Sequence, residues 1–366
     1  MKDANIGKLA RGCELCKEGK KSVLFVTGIC PRKCDYCPLS DEKMNRDVIH
    51  INEVHFSEGD IDKFLNELEE SNSKGIGITG GDPLARIDRT CLLIKEAKKK
   101  FGKKFHTHLY TSLDLIDEKM IAKLQEVGLD ELRIHPDVFD QKLWSKLDLI
   151  SGKFKEVGIE IPAFPSKEKE IIELIDYAKD KVDLFNLNEL EYATKYEKEY
   201  AKKNWKVSED YSVKGSEKTA LEILKLVKKK FPKVRIHYCS AEFKDKVQLS
   251  ERIKARAKKA AKKFDKITYE GMLVRGVVYS EGFVNDKDIL KVSDEERKKI
   301  IPKLNKLVEN LRKEFKGKEF ILDEKKLRII FDARIAEKVA KKFNLVGIVE
   351  EYPTADQTEV DFMRIN

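Results

Sequence analysis

The chain has 366 residues, with 74 Lys and Arg against 65 Asp and Glu, a net charge of +9, and seven cysteines. A hydrophobic fraction of 41% excludes a disordered chain, no stretch approaches the roughly 20 apolar residues of a membrane helix, and residues 1–10 lack the apolar core of a secretion signal. The odd, unevenly spaced cysteines argue against a disulfide framework and for ligands or catalysis in a reducing cytosol, so a cytoplasmic setting is expected; the 38% charged fraction, rich in Lys and Glu, is thermophile-like.

In chain order, the first feature is a Cys-x-x-Cys pair, Cys13 and Cys16, in a segment covering residues 1–21. Short β-branched runs then alternate with amphipathic helical stretches, the pattern of a parallel sheet with crossover helices. The expected strands are residues 22–27, 75–79, 105–111, 131–135, 159–164, 184–190 and 234–239. Helices are expected over 61–71, 90–101, 118–127, 167–181 and 217–231. Directly after the first strand comes Cys30-x-x-x-Cys34-x-x-Cys37, with Tyr36 before the last cysteine. Three thiolates at that spacing can hold three irons of a 4Fe-4S cube and leave the fourth open. A zinc knuckle is the plainer alternative, but it needs a fourth ligand nearby. The second strand ends in Gly80-Gly81-Asp82-Pro83.

Together these two motifs, on consecutive strands, resemble the radical S-adenosylmethionine (SAM) superfamily over roughly residues 20–240. Within that superfamily the chain looks most like archaeal proteins grouped with pyruvate formate-lyase activating enzymes. The resemblance implies that SAM chelates the open iron and that the glycine-rich segment binds its amino group. It implies a one-electron donor such as ferredoxin or flavodoxin, reductive cleavage of SAM, and hydrogen abstraction from a substrate by a 5′-deoxyadenosyl radical. Asp82 stands where the family more often has Glu; the shorter acid can still accept a hydrogen bond.

Strand alternation sorts inward from outward side chains. His106, His108, Tyr110 and Ser112 fall on one face of their strand, and Arg133 and His135 on the same face of the next. Asn186 and Asn188 follow in the sixth strand, and Arg235, His237 and Cys239 in the last. So polar a lumen suits a ligand site or a hydrogen-bonded structural network. In the first reading Arg133 could meet the SAM carboxylate, and His108, Tyr110, His135 and Asn188 contact cofactor or substrate. Tyr36 reads as a packing residue beside the cluster. Cys13 and Cys16 could join His237 and Cys239 as structural zinc ligands, form an auxiliary iron–sulfur cluster, or act as a metal-free redox pair. Cys91 reads as a buried hydrophobe.

Residues 242–266 carry ten Lys and Arg against four Asp and Glu, six of the nine net charges. The stretch reads as a helix with Arg252, Arg256, Lys259 and Lys263 along one flank, either a phosphate-binding track or a solvated face. Beyond it the pattern β-α-β-β-α-β emerges, with a strand over 267–280, helices over 294–315 and 333–343, and strands over 319–331, 346–352 and 359–363. The fold expected is therefore α/β, a partial parallel (β/α)6-type barrel over residues 22–245 with a plait-like α+β domain over 267–366, joined by the basic stretch 246–266. The basic track favours RNA, in particular tRNA, as substrate. A protein or peptide substrate, as in glycyl-radical activation, is the alternative, and a non-catalytic iron–sulfur or zinc protein that binds RNA is a third.

Overall fold

A ten-stranded sheet organises the first part of the chain in the computed structural model, which describes residues 4–280 and 292–366. Its strands are β1 (Ala4–Ile6), β2 (Lys21–Phe25), β3 (Ile49–Ile51), β4 (Val54–Phe56), β5 (Gly75–Thr79), β6 (His106–Ser112), β7 (Glu131–His135), β8 (Glu156–Pro162), β9 (Leu184–Asn188) and β10 (Ile236–Cys239). They lie in the order β1-β10-β9-β8-β7-β6-β5-β2-β3-β4. The run from β10 to β2 is parallel throughout. At its two edges β1 and the β3–β4 hairpin add antiparallel pairs. All seven parallel strands were legible from their apolar alternation. The three-residue strands at the edges were not, being too short to show a period.

One face of the sheet is covered by amphipathic helices. Phe64, Leu68, Leu93, Ile94, Leu124, Leu174 and Ile223 pack from those helices onto Ile78, Leu109, Leu132, Ile134 and Leu187 in a single core. Each such side chain, fully buried, contributes about 1.5–3 kcal/mol. Asp60 and Asp117 start two of the helices by accepting from the amides of Lys63 and Met120. The opposite face carries the polar residues. There Gly77 of β5 gives space to β6: a Cβ on Gly77 would lie 2.8 Å from His108 Nε2.

The chain divides after Arg252 into two units. In the second, β11 (Lys266–Ile267), β12 (Leu273–Tyr279), β13 (Phe320–Asp323), β14 (Arg328–Phe331), β15 (Val346–Glu351) and β16 (Glu359–Arg364) are all antiparallel. The order β13-β14-β12-β15 is that of a βαββαβ plait, extended by β16. The strand expected over 267–280 is broken into β11 and β12 by a turn at Gly271, whose φ of +95 suits only glycine. Leu304, Val308 and Leu311 of the helix Asp294–Glu314 pack on Phe320, Ile329 and Phe331. Buried in the same unit, Glu351 accepts from Arg275 at 3.0 Å and Arg328 at 2.5 Å, and Arg328 also reaches Asp323 and Glu359.

Candidate active site

The loop after β2 is fixed before any cofactor is considered. Arg32 donates to the His135 carbonyl at 2.8 Å and pairs with Asp137 at 2.9 Å, tying the loop to the end of β7. On the other side Gly81 N–H donates to the Thr27 carbonyl at 2.7 Å and Asp82 N–H to that of Ile29 at 2.8 Å. This approach requires the two glycines, because a Cβ on Gly80 would strike the Thr27 carbonyl and one on Gly81 that of Ile29. The cysteines of the loop, Cys30, Cys34 and Cys37, are free, half-buried and line one cavity of about 390 Å³ with Gly81, Tyr110 and His135. Burial pushes the Cys30 thiol up to about 11 and raises that of Cys34, against the opposing Arg32 charge.

Those three thiols fit a cube better than a single ion. Among the described residues, the only three or more His, Cys, Asp or Glu whose ligand atoms all lie within 4.8 Å are His106, His108 and Glu131. The loop cysteines are thus too spread to share one zinc, and among the described residues no fourth ligand joins them at that distance. A spread trio of thiolates is what a cluster with one open iron needs.

Beside this cavity, a second of about 350 Å³ shares Cys34, Cys37, Tyr110 and His135 with it and runs on to Glu160 and Asn188. His135 donates from Nδ1 to the Glu160 carbonyl at 2.9 Å and accepts at Nε2 from the Tyr36 hydroxyl at 2.9 Å. Burial lowers the His135 pKa to about 4, so the ring is neutral at pH 7. The Tyr36 ring packs edge-on against Phe164, centroids 4.9 Å apart. Asn188 Nδ2 donates to Glu160 Oε1 at 2.7 Å.

The geometry ties two of the expected binding residues, Asp82 and Arg133, into the protein where they line the cavities, and it places His108 and the Cys13, Cys16, His237 and Cys239 set differently from expectation. Asp82 is buried and already accepts from Leu84 N, Thr111 Oγ1, Ser112 N and Ser112 Oγ at 2.7–3.2 Å. With four donors on its two oxygens, the carboxylate braces the Gly80-Gly81-Asp82-Pro83 segment where it lines the first cavity. Pro83 starts a 3₁₀ turn and is buried. Arg133 is also committed, to Glu131 at 2.5 Å, Glu160 at 2.6 Å and Cys13 Sγ at 3.2 Å, because a guanidinium this buried needs carboxylate partners. His108 lines neither cavity; its Nδ1 accepts from the Lys21 ammonium at 2.6 Å, two residues nearer the start of β6 than Tyr110. Nor are Cys13, Cys16, His237 and Cys239 gathered into a ligand sphere. His237 Nδ1 bonds Asn186 Oδ1 at 2.7 Å, and Cys239 Sγ accepts from Gln248 at 3.4 Å.

The basic stretch differs as well. It comprises a short helix Ala241–Phe243, a π-helical turn Lys244–Leu249 and the helix Ser250–Ala260. Lys263 therefore lies beyond the helix. Arg256 is buried and donates to the Pro353 carbonyl at 2.7 Å, and Arg252 reaches Asn52 at 3.4 Å. Lys259 and Lys263 are exposed. Only Arg252, Arg256 and Lys259 lie on that helix, and of these Arg256 is buried. The π turn brings Lys244 to the second cavity, where it pairs with Glu191 at 2.9 Å.

Sequence reasoning missed residues 192–215, which precede the helix Ser216–Lys230. In this segment the Lys195 ammonium donates to the Leu39 carbonyl, Lys203 pairs with Asp35 at 2.5 Å, and Tyr196 lines the first cavity. The available signal was length: a connection of this kind usually takes 2–6 residues, and a much longer one is often functional.

Comparison with known proteins agrees with the site. A model described as the Radical SAM superfamily matches residues 24–187. A Methanocaldococcus jannaschii protein named a "putative glycyl-radical enzyme activating enzyme" is 36% identical over 370 residues, covering 98% of this chain and 93% of that protein. A GTP 3′,8-cyclase of Aliarcobacter butzleri is 26% identical over 172 residues, 43% of this chain and 50% of the cyclase. Among solved structures, Streptococcus suis SuiB bound to SAM aligns with a TM-score of 0.43 and 16% identity, over 62% of this chain and 53% of that one. HydG, a maturase of FeFe-hydrogenase, aligns at 0.40 and 15%, over 67% and 65%.

Proposed function

We propose, from the premise that the chain belongs to the radical SAM superfamily, that it is an activating-type enzyme whose substrate is a polypeptide. Membership makes it an enzyme that uses SAM at a 4Fe-4S cluster. The observation that carries the substrate class is the near full-length likeness to the Methanocaldococcus jannaschii protein, which spans both units of the chain. An RNA substrate has less support. Two of the four cations that argued for it are Arg252 and Arg256, which bond to the protein itself.

In this reading Cys30, Cys34 and Cys37 hold the cluster. When bound, cluster and SAM supply the electron and the carbon radical that takes a hydrogen atom from substrate. Gly80 and Gly81 set the distance between cysteine loop and sheet, and Asp82 braces them. Tyr110, His135, Glu160 and Asn188 line the adjoining cavities and orient what enters. At 350–390 Å³ each, those cavities are in the range that takes a small cofactor. Neutral His135, held by the Glu160 carbonyl and the Tyr36 hydroxyl, offers no acidic proton to a radical intermediate. The segment carrying Lys195 and Tyr196 lies against the cysteine loop and helps keep water from it.

The test is anaerobic reconstitution with iron and sulfide, then SAM and dithionite. It should yield 5′-deoxyadenosine, and adding glycyl-radical-type proteins of the same cell should give a protein-centred radical by electron paramagnetic resonance. Deoxyadenosine without any protein radical, with altered tRNA nucleosides in deletion cells, would overturn the polypeptide reading.

A further inference from the structure

The cysteine loop is held from outside the sheet as well. Lys203 pairs with Asp35 at 2.5 Å and the Lys195 ammonium donates to the Leu39 carbonyl, so residues 195–203 grip the loop on either side of Cys37. Aromatic rings continue the contact. Tyr36, between Cys34 and Cys37, has its ring centroid 4.9 Å from that of Phe164, and Phe164 stacks on Trp205 at 6.2 Å with an interplanar angle of 20°. Trp205 is half-buried, and the Lys203 ammonium lies over its ring at 4.7 Å. Packed side chains therefore run from the cysteine loop to the surface at Trp205. The surface at that end is cationic. Residues 192–206 hold five Lys against two Glu. Lys198, Lys202 and Lys206 are exposed and form no ion pair among the described residues, and the same is true of Lys33 on the loop itself. Lys198 and Lys202, four apart on the short helix Glu197–Lys202, share one face. Another lysine run, Lys228–Lys230, ends a helix, where cations complement the macrodipole. Its Lys230 lines a groove with Asp183 and Arg235, just before β9 and β10 begin, at the opposite end of the strands from the cysteine loop.

We propose that this lysine-rich surface around Trp205 docks the protein that delivers the electron, a small acidic one-electron carrier of the ferredoxin or flavodoxin class. The proposal rests on radical SAM membership and is independent of the substrate class. Three thiolates leave the cluster anionic, and an arriving electron adds to that charge, so an acidic carrier is repelled from the loop unless cations stand between them. Lys33, Lys198, Lys202 and Lys206 are those cations, free to face a partner because no carboxylate of the chain holds them. Charge of this kind steers encounter and fixes orientation, which suits redox contacts, since these are small and short-lived. In the step itself one electron leaves the reduced carrier, which is oxidised, and enters the cluster, which is reduced; no proton or group moves. The rings of Trp205, Phe164 and Tyr36 fill the space between docked carrier and loop, so the electron crosses packed side chains and not water.

The test uses the full chain and two probes, an acidic FMN flavodoxin and an acidic ferredoxin. Before any iron is added, the chain should bind at least one of them in a complex that weakens steeply as salt rises. Changing Lys198, Lys202 and Lys206 together to Glu should weaken that complex by at least about tenfold, while the same change at Lys228, Lys229 and Lys230 should leave it within about twofold. After reconstitution, the Lys198, Lys202 and Lys206 variant should accept electrons from the reduced carrier at least about tenfold more slowly. With dithionite, a small reductant that needs no docking, it should release 5′-deoxyadenosine from SAM at the parental rate, which separates lost docking from lost folding or lost chemistry. No salt-dependent binding of either probe, equal weakening by the two lysine triples, or weaker binding of a glycyl-radical-type protein in place of the carriers would each overturn the assignment.

Discussion

Changing Gly81 to Ala tests the geometry of the cysteine loop without touching a single ligand. The added Cβ would strike the Ile29 carbonyl and lie 2.7 Å from the Gly28 carbonyl, both backbone atoms that cannot rotate aside. Ordinary contact asks for at least roughly half an ångström more, so loop and sheet must part by that amount or more. Two main-chain hydrogen bonds span the gap, Gly81 to Thr27 at 2.7 Å and Asp82 to Ile29 at 2.8 Å. Weakening both costs about 1–3 kcal/mol at about 0.5–1.5 kcal/mol apiece. For a unit of this size that corresponds to a drop in Tm on the order of 5 °C in the metal-free protein. Displacing the cysteines relative to Gly80 and Gly81 should also cut reconstituted iron well below four per chain. Thermal unfolding read by circular dichroism, with iron and sulfide analysis, measures both effects. Gly59→Ala is the control, since nothing lies within 4 Å of its Cβ position. A G81A protein with full iron and unchanged Tm would refute the claim that this glycine sets the loop.

Each of Cys30→Ala, Cys34→Ala and Cys37→Ala should abolish cluster assembly, whereas Cys91→Ala, at a half-buried helix position, should leave iron content unchanged. Burial holds His135 near pKa 4 against an ordinary 6.5, so the unfolded chain binds the extra proton between those values. Stability is therefore full above pH 6.5 and lost as pH falls toward 4, by up to about 3 kcal/mol, and His135→Gln should flatten that slope in acid titrations. Glu351→Gln, which strips the fully buried charge facing Arg275 and Arg328, should destabilise the second unit by about 3–5 kcal/mol in urea unfolding. Arg256→Ala should lower stability while leaving any salt-dependent RNA affinity as it was, because its guanidinium is turned to the Pro353 carbonyl.

How far the sequence reached depended on the range of the forces involved. The parallel strands were legible because Leu109, Leu132, Ile134, Phe185 and Leu187 alternate with polar residues, and burial enforces that period. The end of the basic helix was not. Residues 261–264 have adequate helix propensity, yet Asp265 accepts from Lys262 N–H at 2.7 Å and pairs with Arg275 of β12, which turns the chain. A carboxylate fixed by a distant strand leaves no local trace in sequence. The same holds for the pairing of Arg133 with Glu160, which the neighbouring strand supplies beside the second cavity.

What alternation could not supply was depth along the strand, and depth separates binding groups from structural ones. Period two puts His106, His108, Tyr110 and Ser112 on one face without distinguishing them. In the folded sheet the first two bond to Lys21 near the strand starts, while Tyr110 and Ser112 line the cavity by the cysteine loop. On β7 the same order runs from Glu131, which is fully paired, through Arg133 to His135 at the cavity. Parallel strands share one polarity, so a residue's place within its strand is also its height in the lumen, and ligands enter at the carboxyl ends. Polar residues at strand starts must then satisfy one another or hold something of their own. The Gly75 and Gly77 of β5 make the first possible by giving the two histidines room.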